Sequence, residues 1–422
     1  MLIHSASQLV TISGGPQRGV DLGRLGIIPN GAMRVQDGII ADIGITDDLL
    51  EKYPDEPHVD ASGRVVMPGL VDPHTHVIWA GDRAAEFELR LEGKTYLEIL
   101  ASGGGILSTV QATRLASREE LAVQTLARLN RMLALGTTTI EAKTGYGLSQ
   151  DSELKMIKVL VELARKGPWD LAITYLPAHA IPPEYKDDAD GYCKELAEAW
   201  LPEMKSWWQA NAADLPLPFV DVFCETGAFT LEQTDLILRA AIAEGFPVKI
   251  HSDEFDNLGG TTLAVRLGAA SADHLVAASY RDIEALGESN TVAVALPGTP
   301  FGLGTSDYAP GRAILAAGGI LALASDLNPG TSWCESMQMA IALGCRQMKL
   351  TPSQAIAAAT INAAAAIGKD GEVGSLEIGK QADFLILDVA DYRHLGYRYG
   401  GNLVAEVYKR GIQVYSASGG SL

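Results

Sequence analysis

The order of apolar and polar positions divides the chain into regions with two different rhythms. Residues 1–67 alternate short apolar runs with glycine-containing turns, as in LVTI, AMRVQDGIIADIG and GRVVMPG, which is typical of small antiparallel strands. From residue 68, apolar runs of strand length alternate with longer helical patterns such as DSELKMIKVLVELARKG. The strands predicted in this region span residues 69–74, 137–142, 171–177, 219–224, 247–251, 270–274, 291–296 and 320–325. Eight strands that alternate with helices predict an α/β fold of the (β/α)8 TIM-barrel type.

After about residue 367 the short-strand pattern returns, in GEVGSLEIGKQADFLILDV and NLVAEVYKRGIQVY. The simplest arrangement pairs both chain ends into one small composite β-sandwich domain beside the barrel. We therefore expect residues 1–67 to form the N-terminal part of this domain, residues 68–367 the barrel, and residues 368–422 the C-terminal part.

Composition narrows the possible partners and the compartment. The net charge of −19 argues against a nucleic-acid partner and against an anionic membrane surface. The longest apolar stretch, residues 313–324, is too short for a membrane helix, which needs ~20 residues. The first residues lack the basic and apolar regions of a signal peptide, and the four cysteines form no C-x-x-C pair. We expect a cytoplasmic protein without a disulfide framework or a thiolate zinc site.

Five of the eight histidines lie at or just after the ends of predicted strands, and an aspartate follows the last strand: His74, His76, His179, His251, His274 and Asp326. In a barrel, side chains at the C-terminal ends of the strands surround the active site. Any one of these histidines could be an ordinary hydrogen-bonded core residue, but that interpretation fits the whole set poorly. Three imidazoles and one carboxylate, from His74, His76, His251 and Asp326, suit Zn²⁺ or Fe²⁺ with a position left for water. Such an ion lowers the pKa of bound water towards ~7.

Three residues are candidates for proton transfer, and the sequence leaves their roles open. Glu254 is a candidate general base or orienting carboxylate; the alternative is a carboxylate at a helix N-terminus. His274 could polarise the carbonyl under attack or orient a neighbouring residue. Asp326 could relay a proton in addition to binding the metal. We therefore treat Glu254, His274 and Asp326 as the candidate catalytic residues.

These motifs resemble the amidohydrolase superfamily, and the likeness to its imidazolonepropionase family is closer still. The specific stretches are GGGILST, TGYG, AHAIPPEY, KIHSDEFDNLGG and SDLNPGT, and the resemblance extends from about residue 60 to residue 410. It implies hydrolysis of the lactam of 4-imidazolone-5-propanoate to N-formimino-L-glutamate, a step of histidine degradation. It also implies one divalent metal ion per subunit, Zn or Fe, a small anionic cyclic-amide substrate, and a homodimer.

The resemblance further implies which residues bind substrate: Arg83, Tyr96, Tyr146, His179, Glu254, Asn328, Gly330 and Thr331. Arg83 would hold the propionate, because a guanidinium offers a planar fork of donors to a carboxylate. The alternatives are a surface ion pair for Arg83, packing under a glycine turn for Tyr146, and a core position for Tyr96.

Two features separate this chain from its relatives or bear on rival interpretations. Some relatives use a carboxylated lysine on the fourth strand to bridge two metals, whereas Lys143 belongs to the second predicted strand, so we expect a single metal. In TSWCES, Trp333 and Cys334 replace the Pro-Thr expected after the serine, which bears on substrate shape.

The rival functions are another cyclic amidohydrolase or deaminase of the same superfamily, and an inactive barrel that serves as a binding protein.

Overall fold

The computed structural model describes residues 1–94 and 104–418. Its strands, numbered in chain order, are β1 (Leu2–Val10), β2 (Ile27–Gln36), β3 (Ile39–Ile45), β4 (His58–Asp60), β5 (Val65–Pro68), β6 (Leu70–Asp72), β7 (Thr137–Lys143), β8 (Asp170–Ala178), β9 (Phe219–Cys224), β10 (Lys249–Ser252), β11 (Ser271–His274), β12 (Val292–Ala295), β13 (Leu321–Leu323), β14 (Phe384–Leu387), β15 (Val404–Lys409) and β16 (Ile412–Ser416).

The α-helices span Thr46–Lys52, Ala84–Leu91, Ile106–Leu115, Arg118–Ala134, Gln150–Lys166, Ala189–Glu195, Leu201–Asn211, Leu231–Ala243, Gly260–Leu267, Tyr280–Gly287, Gly298–Leu303, Gly311–Ala316, Met337–Arg346, Pro352–Ala358, Ile361–Ala366 and His394–Tyr397. Short 3₁₀ turns lie at Gly19–Asp21 and Pro183–Tyr185, and a π-helical turn at Leu196–Trp200. Across residues 1–94 and 104–418, no helix combines the length and the hydropathy needed to cross a bilayer.

Strands β6 to β13 form one parallel sheet in sequential order, so the predicted barrel is confirmed. The sheet nearly closes on itself just beyond its first and last strands. There Thr75 and Leu327 form a parallel bridge, and the His76 amide donates to the Leu327 carbonyl at 2.9 Å. The two chain segments that carry the first histidines and Asp326 are therefore held side by side.

The first barrel strand is shorter than predicted. Strand β6 ends at Asp72, whereas the sequence indicated residues 69–74. Pro73 has no N–H to donate to the ladder, which explains the early end. His74 and His76 consequently lie on a segment that follows the strand rather than on the strand itself.

A typical barrel helix shows why the sequence folds this way. Helix Gln150–Lys166 has acidic residues in its first turn and basic residues in its last, which complements the helix dipole. Met156, Leu160 and Leu163, at helical spacing, are buried in the main hydrophobic core. This apolar face packs the helix onto the barrel and leaves Asp151, Arg165 and Lys166 exposed.

The small sheet has the strand order β16-β15-β14-β5-β1-β2-β3, with β4 on β1, and so combines both chain ends. The link is the antiparallel pair β5–β14, in which Val65 faces Leu387 and Pro68 faces Phe384. This sheet has its own buried core, which includes Met33, Val66 and Phe384. The predicted composite domain is thereby confirmed.

The expectation of antiparallel strands in the N-terminal region holds for β1, β2 and β3 and not for β4 and β5. Strands β4 and β5 pair with β1 in parallel, whereas β1–β2 and β2–β3 are antiparallel. After the meander β1–β2–β3, the chain passes through helix Thr46–Lys52 before it returns beside β1. That helix provides the crossover that a parallel pairing requires.

Candidate active site

The five strand-end histidines converge at the C-terminal mouth of the barrel. Four of them line a cavity of about 840 Å³, together with every other predicted site residue that the structure describes. The lining set is His76, Arg83, Tyr146, His179, His251, Glu254, His274, Asp326, Asn328, Gly330 and Thr331. His74 lies beneath the cavity and is fully buried, with its ring centroid 4.4 Å from that of His251. Tyr96 lies outside the described residues.

The predicted metal ligands present their donor atoms to one another. The Nε2 atoms of His76 and His251 are 3.3 Å apart. Asp326 Oδ1 lies 3.6 Å from His74 Nε2 and 3.7 Å from His76 Nε2. Tetrahedral ligands at about 2.0–2.1 Å from a metal are separated from one another by about 3.3 Å.

The electronic state of His74 also suits a cation. Its Nε2 is buried and has no hydrogen-bond partner within residues 1–94 and 104–418, although buried polar atoms are normally paired. Burial lowers the pKa of His74, of His76 and of His274, so these rings are neutral at neutral pH. A neutral imidazole has a lone pair to give, and the donor set therefore fits a divalent ion.

Acceptors behind two rings, His74 and His179, fix their tautomers. Asp221 Oδ2 lies 2.9 Å from His251 Nδ1, without hydrogen-bond geometry. Asp273 Oδ2 lies 2.6 Å from His74 Nδ1. A carboxylate accepts from an imidazole N–H, so the Nδ1 of His74 carries the proton and its Nε2 carries the lone pair. His179 Nδ1 donates in the same way to the Gly145 carbonyl at 3.0 Å, and burial lowers the pKa of His179 to about 3.

The two carboxyl groups that the sequence predicts to be catalytic, those of Asp326 and Glu254, both have raised pKa values. Burial raises the pKa of Asp326 to about 6, against the opposing effect of a hydrogen bond from the Thr299 hydroxyl. Burial, reinforced by the charge of Asp326, raises the pKa of Glu254 well above its usual value. Glu254 Oε2 is 3.6 Å from His274 Nε2. The next helix begins only at Gly260, so the geometry does not support the alternative that places Glu254 at a helix N-terminus.

Backbone conformation at the site is unusual at two residues. His274 has φ 83° and Asp326 has φ 52°, a region that residues other than glycine rarely adopt. Strained backbone of this kind concentrates at functional sites, where surrounding structure holds it in place.

Arg83 faces the cavity and is also engaged in an ion pair. Its Nε donates to Glu86 at 2.9 Å, and its Nη2 donates to the other Glu86 oxygen. Gly330 lies directly against the remaining nitrogen, because a Cβ built there would be 2.3 Å from Arg83 Nη1. Arg90, which the sequence did not single out, lines the same part of the cavity and donates to the Gly330 carbonyl at 3.0 Å.

Asn328 organises the loop that follows β13. Its Oδ1 accepts from the amides of Gly330 and Thr331, both at 2.8 Å, and its Nδ2 donates to the Asp326 carbonyl at 2.8 Å. Its side-chain groups are thus already used to hold the loop in place.

Trp333 packs away from the cavity. Its ring meets Trp79 edge-to-face at 4.9 Å, and the Arg128 guanidinium lies over both rings. Trp333 and Cys334, the two unusual residues of the TSWCES segment, do not line the cavity.

Sequence reasoning missed a buried set of charges beneath the histidines. Its members are Glu141, Lys143, Asp221, Lys249 and Asp273. Lys143 Nζ donates to Glu141 at 2.9 Å and to Asp221 at 2.8 Å. Burial alone would lower the pKa of Lys143, but the nearby carboxylates outweigh burial and raise it, so the amine stays protonated. The signal in the sequence was a charged residue inside each strand segment. Glu141 and Lys143 lie in TIEAK, Asp221 in FVDVFC, Lys249 in VKIH and Asp273 in SADH.

Comparison with known proteins shows the family to which the chain belongs. The sequence model of the Amidohydrolase family matches residues 65–412. Imidazolonepropionase of Herpetosiphon aurantiacus is 49% identical over 410 residues, which is 97% of this chain and 96% of the relative. Imidazolonepropionase of Symbiobacterium thermophilum is 48% identical over 415 residues, with 97% and 96% covered.

Among solved structures, an adenosine deaminase from Xanthomonas campestris with bound zinc has a TM-score of 0.69 at 19% identity. The alignment covers 98% of this chain and 92% of that one, and at this identity it shows the shared fold. The two imidazolonepropionases match 97% of the chain at 49% and 48% identity, and matches of this extent show the family as well as the fold. The chain therefore belongs to the amidohydrolase family and, within it, to the imidazolonepropionases.

Proposed function

We propose that this chain hydrolyses the lactam C–N bond of 4-imidazolone-5-propanoate to N-formimino-L-glutamate, a step in histidine degradation. The observation that carries the proposal is the convergence of His74, His76, His251 and Asp326 at the mouth of the barrel, in a chain of this family. The cavity above them has room for a small cyclic amide and has arginines at one end.

Membership of the amidohydrolase family supports a divalent metal ion. We infer one ion per subunit, Zn²⁺ or Fe²⁺, held by His74, His76, His251 and Asp326. When bound, such an ion acidifies a water molecule and polarises the substrate carbonyl. Lys143 is protonated and has no lone pair for a second ion or for carboxylation.

The proton steps follow from the two raised carboxyl pKa values. Asp326, with a pKa of about 6, is the base that accepts the proton of the attacking water. Glu254 holds a proton because of its burial, and it delivers that proton to the ring nitrogen that leaves. His274 donates a hydrogen bond to the carbonyl oxygen as negative charge develops there.

The remaining predicted residues bind the substrate. Arg83 binds the propionate, and Tyr146 and His179 form the wall beside His76, on which His179 stacks at 4.7 Å. Glu254 contacts the ring, and Asn328, Gly330 and Thr331 supply the loop around it. Tyr96 is assigned to substrate binding by resemblance.

The test follows the ultraviolet absorbance of freshly prepared 4-imidazolone-5-propanoate and identifies the product, before chelation, after chelation and after metal return. We expect metal-dependent loss of substrate with formiminoglutamate as product. Ammonia release from a purine or pyrimidine, with no turnover of the imidazolone, would favour the rival deaminase. A folded sample that binds no divalent ion would favour the inactive barrel.

The carboxylate clamp has its own test. Arg83→Ala removes charge-assisted hydrogen bonds of about 1.5–3 kcal/mol, so kcat/KM for the propanoate falls by at least about tenfold. The amide of the propanoate, which has no negative charge, should lose far less. Arg281→Ala, at an exposed position, is the control and keeps native kinetics. Equal losses on both substrates would contradict the clamp.

Domain limits, compartment and oligomeric state are further proposals. We infer divisions at residues 67/68 and 367/368, a cytoplasmic location and a homodimer; the dimer is inferred from family resemblance alone. Light scattering should then give twice the chain mass of 44.7 kDa, and the mass of a single chain would contradict the dimer.

A further inference from the structure

Five charged side chains form a continuous group beneath the histidine cluster: Glu141, Lys143, Asp221, Lys249 and Asp273. They come from four barrel strands, β7, β9, β10 and β11, and all are 0% exposed. We call this set the buried charge layer. Charges so far from water persist only when they are paired and hydrogen-bonded.

Each lysine joins at least two carboxylates. Lys143 Nζ lies 2.9 Å from Glu141 Oε1, 2.8 Å from Asp221 Oδ2 and 3.7 Å from Asp273 Oδ2. Lys249 Nζ lies 2.9 Å from the same Glu141 oxygen and 3.5 Å from Asp273 Oδ2, and it donates to the Pro73 carbonyl at 2.8 Å. Glu141 and Asp273 are therefore shared by both lysines, and Asp221 pairs with Lys143.

The two aspartates of the layer are the groups that contact the histidines. Asp273 reaches His74 Nδ1 at 2.6 Å, and Asp221 reaches His251 Nδ1 at 2.9 Å. Asp221 also accepts the His251 backbone N–H at 3.1 Å. The bond from Lys249 to the Pro73 carbonyl further fixes the segment that carries His74. Any movement of a lysine would thus be passed to the orientation of a ring.

The net charge of the buried charge layer and Asp326 together balances that of a divalent cation. Three carboxylates and two ammonium groups give the layer a net charge of −1. Asp326 above it adds another negative charge. The total of −2 matches a divalent cation, whereas loss of either lysine would leave −3.

We propose that Lys143 and Lys249 are positioning residues that hold Asp221 and Asp273 in place, so that the Nε2 atoms of His251 and His74 point at one metal position. The inference rests on the proposed function only in so far as that function requires a divalent ion. The lysines touch neither substrate nor metal. Their effect is passed through a carboxylate and then an imidazole.

The test measures metal affinity rather than turnover. The variants are Lys143→Met and Lys249→Met, which keep the length and volume of the stem but remove the charge. Loss of a group that orients a metal-binding histidine raises the metal dissociation constant by ~10–100-fold. We expect a rise of this size for Zn²⁺, measured by chelator competition on the full-length protein. We also expect an altered ligand-field absorption spectrum with Co²⁺ as the probe.

The matched control is Lys155→Met. Lys155 Nζ donates to the carbonyls of Thr113, Arg114 and Ala116 at 2.7–3.0 Å, well outside the histidine cluster. This variant loses a structurally important lysine, so thermal unfolding should occur at lower temperature. Its Zn²⁺ dissociation constant and Co²⁺ spectrum should remain native, which separates positioning from general loss of stability.

A conservative variant covers the case in which the methionine variants fail to fold. Asp273→Asn keeps the shape of the side chain but presents a neutral amide to His74 and Lys249. It should fold and still show a weakened Zn²⁺ affinity. Native affinity and a native Co²⁺ spectrum in the folded variants of the buried charge layer would overturn the proposal.

The outcome is distinguishable from failure of the proposed function. If the wild-type protein binds Zn²⁺ tightly and the variants do not, but no imidazolone is consumed, positioning stands and the substrate assignment falls. If the wild-type protein consumes imidazolone normally and the variants bind Zn²⁺ normally, the substrate assignment stands and the positioning role of the lysines falls.

Discussion

At the scale of single residues, Gly330 controls the position of Arg83. A methyl group at residue 330 would lie 2.3 Å from Arg83 Nη1, and the guanidinium is the more mobile partner. We expect Gly330→Ala to fold normally but to displace Arg83 from the propionate. KM should rise by about tenfold with a smaller change in kcat, because the lost contact binds ground state and transition state alike.

Steady-state kinetics on 4-imidazolone-5-propanoate check this expectation. The matched control is Gly371→Ala, since a Cβ at residue 371 meets nothing within 4 Å. An unchanged KM in a folded Gly330→Ala variant would show that Arg83 does not bind the tail.

Individual residues differed in how far the sequence revealed them. The strand-end histidines and Asp326 were predictable because a barrel brings strand ends to one place. Glu141, Asp221, Lys249 and Asp273 were not predicted. A charge within an apolar run shows neither which way it points nor its partner on another strand, and here the partners are up to 130 positions apart, from Lys143 to Asp273.

At the scale of elements, the loop after β7 depends on a buried carboxylate. Glu153 accepts from the amides of Gly145, Gly147 and Leu148 at 3.1, 2.7 and 2.8 Å. This loop carries Tyr146 and the carbonyl that fixes His179. Glu153 thus shapes one wall of the cavity without touching it.

Glu153→Gln should disturb this loop, because the new amide group cannot accept from all three N–H groups. Leaving one buried donor unpaired costs about 1–3 kcal/mol of unfolding free energy. We expect a loss of this size in chemical denaturation and a several-fold fall in kcat/KM. Glu162→Gln, on the same helix but in solvent-exposed ion pairs, should cost at most about 1 kcal/mol. Native stability of Glu153→Gln would contradict the role of Glu153.

Elements with a strong apolar pattern were the predictable ones. All eight barrel strands were found from apolar runs, because strands buried on both faces are nearly continuously apolar. The early end of β6 and the parallel pairing of β1 with β5 were not predicted. The end of β6 depends on the missing N–H at Pro73, and the parallel pairing depends on the path of the crossover.

At the scale of the whole molecule, a buried ion pair ties the small sheet to the barrel. Lys409 of β15 lies 2.6 Å from Asp170, at the start of β8, and also pairs with Asp383. The Lys409 side chain is 5% exposed and that of Asp383 is 2% exposed. These contacts lie at the N-terminal end of a barrel strand, opposite the histidine cluster.

Lys409→Met should therefore lower stability without changing the chemistry. Removing one partner of a buried ion pair costs about 3–5 kcal/mol, measured as the free energy of unfolding in urea. Lys166→Met, which breaks an exposed pair with Glu162, should cost at most about 1 kcal/mol. A Zn²⁺ dissociation constant altered as strongly in Lys409→Met as in Lys249→Met would contradict this separation of roles.

The pairing of β5 with β14 also has a consequence for biosynthesis. Val65 pairs with Leu387, so strand β5 leaves the ribosome long before its partner has been translated. At ~5–20 residues per second the delay is roughly 15–65 s. During that interval one edge of β5 has no strand beside it, which is a site for mispairing with other nascent chains. The order of synthesis therefore makes completion of the small sheet a late event, and its exposed edge a natural point for chaperone engagement.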